Sequence, residues 1–239
     1  MTTSGRRLWV ASLPKSAGET VTLDARASRH VAVLRLGPGA AVVLFDGAGG
    51  EVDATLSEVS ADGARCVCAG PPRVEHDRPG PTLVLATPKG AELDRIVRAA
   101  TELGVRAIHL ATTERTVARP GATGGKLDRV RRIVREAARQ SEQPWVPQVH
   151  APAPWFEVVR RPEPHAHRVL CWARGGGPMP ALEGDVWVAV GPEGGFTPAE
   201  IAEAERESFV PVRLTDRVLR VETAVVVALG LVTSGPTHA

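Results

Sequence analysis

Two segments in the C-terminal half of the chain combine residue types that can do chemistry. The first is Val190-Gly191-Pro192-Glu193-Gly194-Gly195-Phe196-Thr197-Pro198. An apolar run leads into it, and Thr197-Pro198-Ala199-Glu200 reads as a capping box with proline at the first helical position. Glycines in such a loop let a ligand approach the backbone, and the helix N-terminus that follows presents unpaired N–H groups. A plain tight turn would need neither three glycines nor a glutamate. The second segment is Leu214-Thr-Asp-Arg-Val-Leu-Arg-Val-Glu-Thr-Ala224, which enters an apolar helix. Arg217, Arg220 and Glu222 stand at that entry. Charges placed there must pair or meet a ligand. The ordinary alternative is that Glu222 answers the helix dipole and Arg217 pairs with it.

Other glycine runs fail as nucleotide sites. No G-x-G-x-x-G fingerprint occurs, and a strand rather than a helix is predicted after Gly47–Gly50. Gly121-Ala-Thr-Gly-Gly-Lys126-Leu127 lacks the first glycine of a P-loop, where Pro120 stands, and has Leu127 where Ser or Thr must hold Mg²⁺. No metal is expected. His30, His109 and His150 lack ligand spacing, and Cys66, Cys68 and Cys171 form no C-x-x-C pair. An odd number of cysteines also argues against a disulfide framework, which implies a reducing, cytoplasmic compartment.

The elements that must position these residues follow from periodicity. Residues up to about 70 read as β: strands 41–45, 51–56 and 65–68, a turn at Gly47–Gly50, and one short helix over 27–34 ended by Gly37-Pro38-Gly39. The segments Gly70-Pro-Pro72 and Arg78-Pro-Gly-Pro81 read as a stiff linker. Beyond it the period changes. Thr82–Thr87 reads as a buried strand, Leu93, Ile96, Val97, Ala100 and Leu103 recur at helical spacing before Gly104, and Arg106–Ala111 is a strand again. Strand, helix, strand with short connections predicts a right-handed unit in a parallel sheet. Further strands are expected at 168–172, 186–190 and 210–214, and helices at 125–140, 198–207 and 222–232. The last helix is apolar on every side, so it belongs in a core or at a subunit interface. The reading is an α/β protein with a small β domain over 1–72 and a parallel-sheet domain over 73–239.

A length of 239 residues, with 43% hydrophobic and 23% charged, fits one or two folded domains. No apolar run is long enough to span a membrane, and the first residues lack the apolar core of a secretory signal. The net charge of +2 hides an asymmetry. Residues 71–175 carry eighteen basic and eleven acidic side chains, while residues 176–239 carry four and nine. Eight basic residues fall between Arg115 and Arg139, a density that attracts phosphate unless it is only a solvated helix face. Within it, Arg129, Arg132 and Arg135 recur every three residues and are expected on one exposed face.

Gly191-Pro-Glu-Gly-Gly-Phe-Thr with Glu200, and Arg217-Val-Leu-Arg-Val-Glu-Thr-Ala224, closely resemble the paired signatures of the RsmE family, the bacterial 16S ribosomal RNA uridine-N3 methyltransferases of the SPOUT superfamily. The resemblance runs along almost the whole chain. His30-Val-Ala-Val-Leu-Arg-Leu and Leu44-Phe-Asp-Gly47 look like its PUA-like RNA-binding domain. Lys89-Gly90, Ala99-Ala-Thr-Glu-Leu-Gly-Val105 and Glu114-Arg115-Thr116 match its central block. The family usually has Glu-Gln at Arg139-Gln140, Gly-Arg at Glu142-Gln143, and glycine at Thr215.

The resemblance implies a C-terminal domain with a trefoil knot and a PUA-like β-barrel before it. It implies S-adenosyl-L-methionine as cofactor, held by Leu170, Val190, Gly191, Pro192, Gly194, Gly195, Leu214, Asp216, Val218 and Leu219. Methylation at uridine N3 needs a proton removed and the uracil anion stabilised. Arg217 and Arg220 can supply positive charge, and Glu193 or Glu222 can accept the proton. Arg35, Lys89, Arg115, Arg129, Arg132 and Arg135 are the candidate contacts to 16S rRNA or the small ribosomal subunit. The resemblance also implies a homodimer through the knot region. Two other readings are a non-catalytic RNA-binding protein and a SPOUT methyltransferase for another base.

Overall fold

The computed structural model describes residues 6–76, 80–88, 92–116 and 123–234. The chain forms two compact units. One comprises Met1–Arg78 with Arg135–Val146, the other Pro79–Val134 with Pro147–Ala239.

The first unit contains β1 (Arg7–Trp9), β2 (Thr20–Thr22), α1 (Ala25–Val33), β3 (Ala41–Phe45), β4 (Gly50–Ser60), β5 (Gly63–Cys68) and β6 (Arg73–Val74). The sheet order is β1-β3-β4-β5-β2, with β6 beside β4. The β3–β4 hairpin expected from sequence is held by Asp46, whose Oδ1 accepts from the N–H of Ala48 at 2.7 Å and of Gly50 at 3.0 Å. Along β4 the inward residues Val52, Ala54 and Leu56 alternate with outward Asp53 and Thr55, the period of a sheet with one dry face. Leu8, Val31, Leu44 and Cys66 complete that core. Burial pushes the Cys66 thiol up to about 12, so it behaves as a small apolar side chain. Asp24 caps α1 by accepting from the N–H groups of Arg26 and Ala27.

The second unit contains β7 (Thr82–Ala86), α2 (Glu92–Glu102), β8 (Ala107–Thr112), α3 (Thr123–Gln140), β9 (Gln148–Pro154), α4 (Trp155–Val158), β10 (His167–Cys171), β11 (Gly177–Pro178), β12 (Val186–Val190), α5 (Pro198–Arg206), β13 (Val210–Arg213) and α6 (Val221–Thr233). Its sheet runs β11-β13-β10-β12-β7-β8-β9, and every pairing is parallel. An all-parallel sheet needs cover on both faces, which explains the continuous apolar runs of β7 and β12. Trp155, Val158, Ile201, Ala204 and Phe209 cover Val84, Leu170 and Ala189. Helices α2 and α6 pack together, and α6 lies against β12. Leu93, Ile96, Ala100, Val225 and Leu229 are buried there.

Helix α3 begins in the second unit, and its last turns belong to the first. There Arg26 bonds Glu136, Arg139 bonds the same carboxylate at 3.2 Å, and Arg139 also lies 2.8 Å from His30 Nε2. The Arg135 guanidinium sits 4.6 Å above the Trp9 ring. Arg135 is therefore half-buried on an aromatic face. This corrects the expectation that Arg129, Arg132 and Arg135 form one exposed stripe.

A stack of His109, His150 and Trp187 lies across the sheet of the second unit. The His109 ring is 3.9 Å from that of His150 and 4.8 Å from that of Trp187. Arg161 donates to His109 Nδ1 at 3.0 Å, which requires that nitrogen to be unprotonated. Burial first, then the charges of His150, Arg161 and Arg106, push His109 down to about 3. His150 is also lowered, by burial and by Arg161 and Arg131. A histidine with a depressed folded pKa binds its proton more readily when unfolded, so stability falls as pH drops below about 6.5. Between pH 7 and pH 5 the His109 contribution is a loss of at most about 2 kcal/mol, several degrees in melting temperature. His109→Gln should flatten that dependence. Thermal melts from pH 7.5 to 5 check this, and an unchanged slope in the variant refutes it.

Candidate active site

Three neighbouring strands, β13, β10 and β12, end on the same side of the parallel sheet. Ligand sites in such sheets form beyond the carboxyl ends of the strands. Here the loops leaving those ends enclose a cavity of about 570 Å³. The loop after β10 contributes Cys171, Trp172, Ala173 and Arg174. The loop from β12 into α5 contributes Val190 to Phe196. The loop from β13 into α6 contributes Leu214, Thr215, and Arg217 to Glu222.

The glycine loop is shaped by tight contacts and one left-handed residue, which favour glycine. A Cβ on Gly191 would lie 3.0 Å from the Phe196 ring, and one on Gly194 would lie 3.2 Å from the Arg115 side chain. Gly195 has φ +69°, a left-handed conformation that disfavours other residues, and its N–H bonds Pro192 O at 2.8 Å. Phe196 is buried, its ring 4.6 Å from that of Trp155. The predicted capping box is formed: Thr197 N–H donates to Glu200 at 2.8 Å, and Glu200 N–H to Thr197 Oγ1 at 3.3 Å. The second oxygen of Glu200 accepts from Glu114 N–H at 2.7 Å, and Arg115 donates to Gly194 O at 2.7 Å.

In the other predicted segment, Thr215 accepts from Arg217 N–H at 3.0 Å, closing a local turn. Thr215 thus forms the bend where the family pattern has glycine. Arg217 and Arg220 make no ion pair among the described residues, and neither does Glu222. All three line the cavity. The Arg217–Glu222 pairing of the ordinary alternative is absent among the described residues.

The cavity gathers most of the predicted cofactor residues and all four predicted catalytic ones. Leu170 and Asp216 do not line it. Leu170 is fully buried in the core, and the Asp216 side chain is 91% exposed beside Arg213. Among the predicted RNA contacts, Arg115 lines the cavity, Arg129 pairs with Asp94, and Arg35 and Arg132 are exposed. Lys89 lies outside the described residues. Sequence reasoning missed Trp172, Arg174 and Glu92. Glu92 opens α2, where an acidic residue reads only as a dipole partner. Its carboxyl is held above the ordinary value, first by a hydrogen bond to Glu193, then by burial and by the charges of Glu193 and Glu222. The cavity therefore sets three carboxyl groups among four arginines, Arg115, Arg174, Arg217 and Arg220.

Residues 77–233 match a family model described as an RNA methyltransferase domain, and residues 23–67 match an RNA methyltransferase PUA domain. The ribosomal RNA small subunit methyltransferase E of Synechocystis is 38% identical over 219 residues, 88% of this chain and 71% of that protein. The chain belongs to the ribosomal RNA small subunit methyltransferase E family. The protein of the same description from Mycobacterium bovis is 33% identical, covering 94% of this chain and 89% of its own. Among solved structures, the family enzyme of Neisseria gonorrhoeae bound to S-adenosyl methionine superposes with a TM-score of 0.87. It is 28% identical, with 94% of this chain and 95% of that one covered. A putative methyltransferase from Legionella pneumophila in complex with the same cofactor also gives 0.87, at 27% identity with 95% and 96% covered.

Glu200 joins both sides of this family site, since one carboxylate serves the α5 cap and the Glu114 backbone. Glu200→Ala should cost about 1–2 kcal/mol, the value of a lost cap plus one charged hydrogen bond. Calorimetric melting should show a fall of several degrees, and an unchanged melting temperature would contradict the assignment.

Proposed function

We propose that this protein transfers the methyl group of S-adenosyl-L-methionine to N3 of a uridine in 16S ribosomal RNA. The observation that carries the reading is the cavity closed by three loops from β10, β12 and β13, whose lining combines the glycine loop with arginines and carboxylates. The cradle fits such a group: Gly191, Gly194 and Gly195 line the cavity, and a Cβ at Gly191 or Gly194 would crowd Phe196 or Arg115. Val190, Gly191, Pro192, Gly194, Gly195, Leu214, Val218 and Leu219 are the residues that would hold it. Bound there, the cofactor supplies an electrophilic methyl group on a sulfonium centre.

The chain's own residues supply the rest. The uracil N3–H is a weak acid, so its removal has to coincide with stabilisation of negative charge on the ring. Arg217 and Arg220 line the cavity as cations without carboxylate partners among the described residues, and they stabilise that charge. Glu193 or Glu222 takes the proton. Glu92 lines the same cavity, and the neighbouring Glu193 is the first cause that holds its carboxyl above the ordinary value. Exclusion of water and alignment of the two reactants contribute as well.

Initial RNA capture is assigned to the PUA-like domain over 1–72, and methyl transfer with further RNA contacts to 73–239. Arg35 and Arg132 are the exposed contacts, with Arg129 available once it leaves Asp94. The interleaved order β13-β10-β12 is compatible with the trefoil thread we assign to the last 70 or so residues. We also assign a cytoplasmic homodimer. Val226 is 43% exposed and Leu231 50% exposed on α6, an apolar helix that has covered only one of its faces. Among the described residues no helix is long and apolar enough to cross a membrane.

The deciding experiment maps N3-methyluridine by mass spectrometry in 16S rRNA from a deletion strain and its complemented parent. The modification should vanish and return. Its persistence in the deletion strain, or return of a different methylated base, overturns the assignment. Val226→Asp should shift a dimer to monomer in sizing chromatography with light scattering, and a monomeric wild type rejects the dimer. Arg132→Ala should weaken binding to all RNA sequences alike and reduce the salt slope by about 0.7–0.9, without lowering the melting temperature. Arg135→Ala should instead destabilise by about 0.5–1 kcal/mol through loss of the Trp9 stack. Equal melting temperatures in the two variants would refute this division.

A further inference from the structure

We infer that Arg115 is a positioning residue of the cofactor loop, acting on the backbone of Gly194, rather than an RNA contact. The inference rests on the methyltransferase reading of the cavity and deepens it.

Arg115 sits in a turn that is stiff before it meets anything else. Thr113 is buried, and its N–H donates to Thr116 Oγ1 at 3.0 Å. The two threonine hydroxyls lie 2.7 Å apart, and Thr116 N–H returns to Thr113 O at 3.1 Å. Three hydrogen bonds within four residues fix the direction of Glu114 and Arg115. Two bonds then cross to the first turn of α5 and to the loop that leads into it. Glu114 N–H reaches the capping carboxylate of Glu200, and the Arg115 guanidinium reaches Gly194 O at 2.7 Å.

The packing agrees. The Arg115 Cβ and Cδ lie 3.2 Å from where a Gly194 Cβ would stand, so the arginine stem lies along the glycine. Glycine at 194 and arginine at 115 are thus two halves of one contact. Arg115 is exposed, but a guanidinium with one donor spent on Gly194 O and its stem laid along that glycine is poor use of an RNA-binding arginine. It is good use of a clamp. A loop rich in glycine loses much conformational entropy on ordering, and an external tie lowers that cost for any ligand. Glu193 precedes Gly194, so the same bond restrains the backbone that carries the carboxylate.

The test compares Arg115→Ala, Arg115→Lys and wild type, without RNA. Hydrogen–deuterium exchange of the ligand-free protein should show amides of residues 191–196 exchanging about 5- to 10-fold faster in Arg115→Ala, in line with loss of one charged hydrogen bond. Calorimetric titration should show S-adenosyl-L-methionine affinity falling by a similar factor. Lysine retains a donor for the carbonyl and should restore most of both effects. A double-mutant cycle with Gly194→Ala should be non-additive, because both changes act on one contact. Unchanged exchange in a folded Arg115→Ala overturns the inference. So does unchanged cofactor affinity with a reduced salt slope for RNA, which would return Arg115 to the RNA surface. A wild type that does not bind S-adenosyl-L-methionine overturns the functional reading instead, and the exchange measurement on ligand-free protein still decides the clamp.

Discussion

An all-parallel sheet has no hairpins, so every strand is left and re-entered through a connection that crosses the sheet. That constraint governs the second unit. All carboxyl ends of β10, β12 and β13 fall on one side, and their order in the sheet brings three sequence-distant loops to one place. Loop residues 171–174, 190–196 and 214–222 become neighbours although up to about 50 positions separate them. The sheet can do this only while buried on both faces. That is why every residue of β7 and β12 is buried and why α6 is mostly apolar.

The elements that determine this arrangement were legible because their periodicity is strong. Helix α2 shows buried Leu93, Ile96, Val97 and Ala100 at helical spacing, and β4 alternates. The strands that sequence reasoning missed share a physical character. β9 holds Pro152 and Pro154, β11 is Gly177-Pro178, and both are edges of the seven-stranded sheet. Proline cannot donate to a ladder, so it is tolerated at edges and hides the strands from a pattern search. β1 and β2 are three residues long, below the length at which alternation can be read.

The site was legible in its loops but not in its cross-links. Gly191, Glu193, Gly195, Arg217 and Glu222 announced themselves by type and spacing. Glu92 and Arg115 did not, because their partners lie about 80–100 positions away. Charge density was a poor guide to role for the same reason. The basic run from Arg115 to Arg139 reads as one patch, yet its members do different work. Arg115 ties a loop, Arg129 pairs with Asp94, Arg135 lies on Trp9, and Arg139 joins Glu136 and His30. Arg139 stands where the family pattern has a different residue, and here it completes an ion-pair cluster with Arg26 and Glu136. Only the fold distinguishes a spent arginine from an available one.

The distribution of spent and available charge carries the functional argument further than the total does. Arginines away from the cavity mostly meet carboxylates: Arg73 with Asp53, Arg106 with Asp185, Arg160 with Glu203. Arg217 and Arg220 belong to the one loop where Glu222, Glu193 and Glu92 are close at hand and yet no ion pair closes among the described residues. Holding cations and carboxylates in one cavity without letting them neutralise each other requires a stiff backbone beneath both. The Thr215 turn supplies that on one side, and the Thr197–Glu200 cap with its tie to Glu114 supplies it on the other. Charges kept apart in this way stay available to a substrate, which the proposed reaction requires: there the uracil first loses a proton and then carries the negative charge left behind.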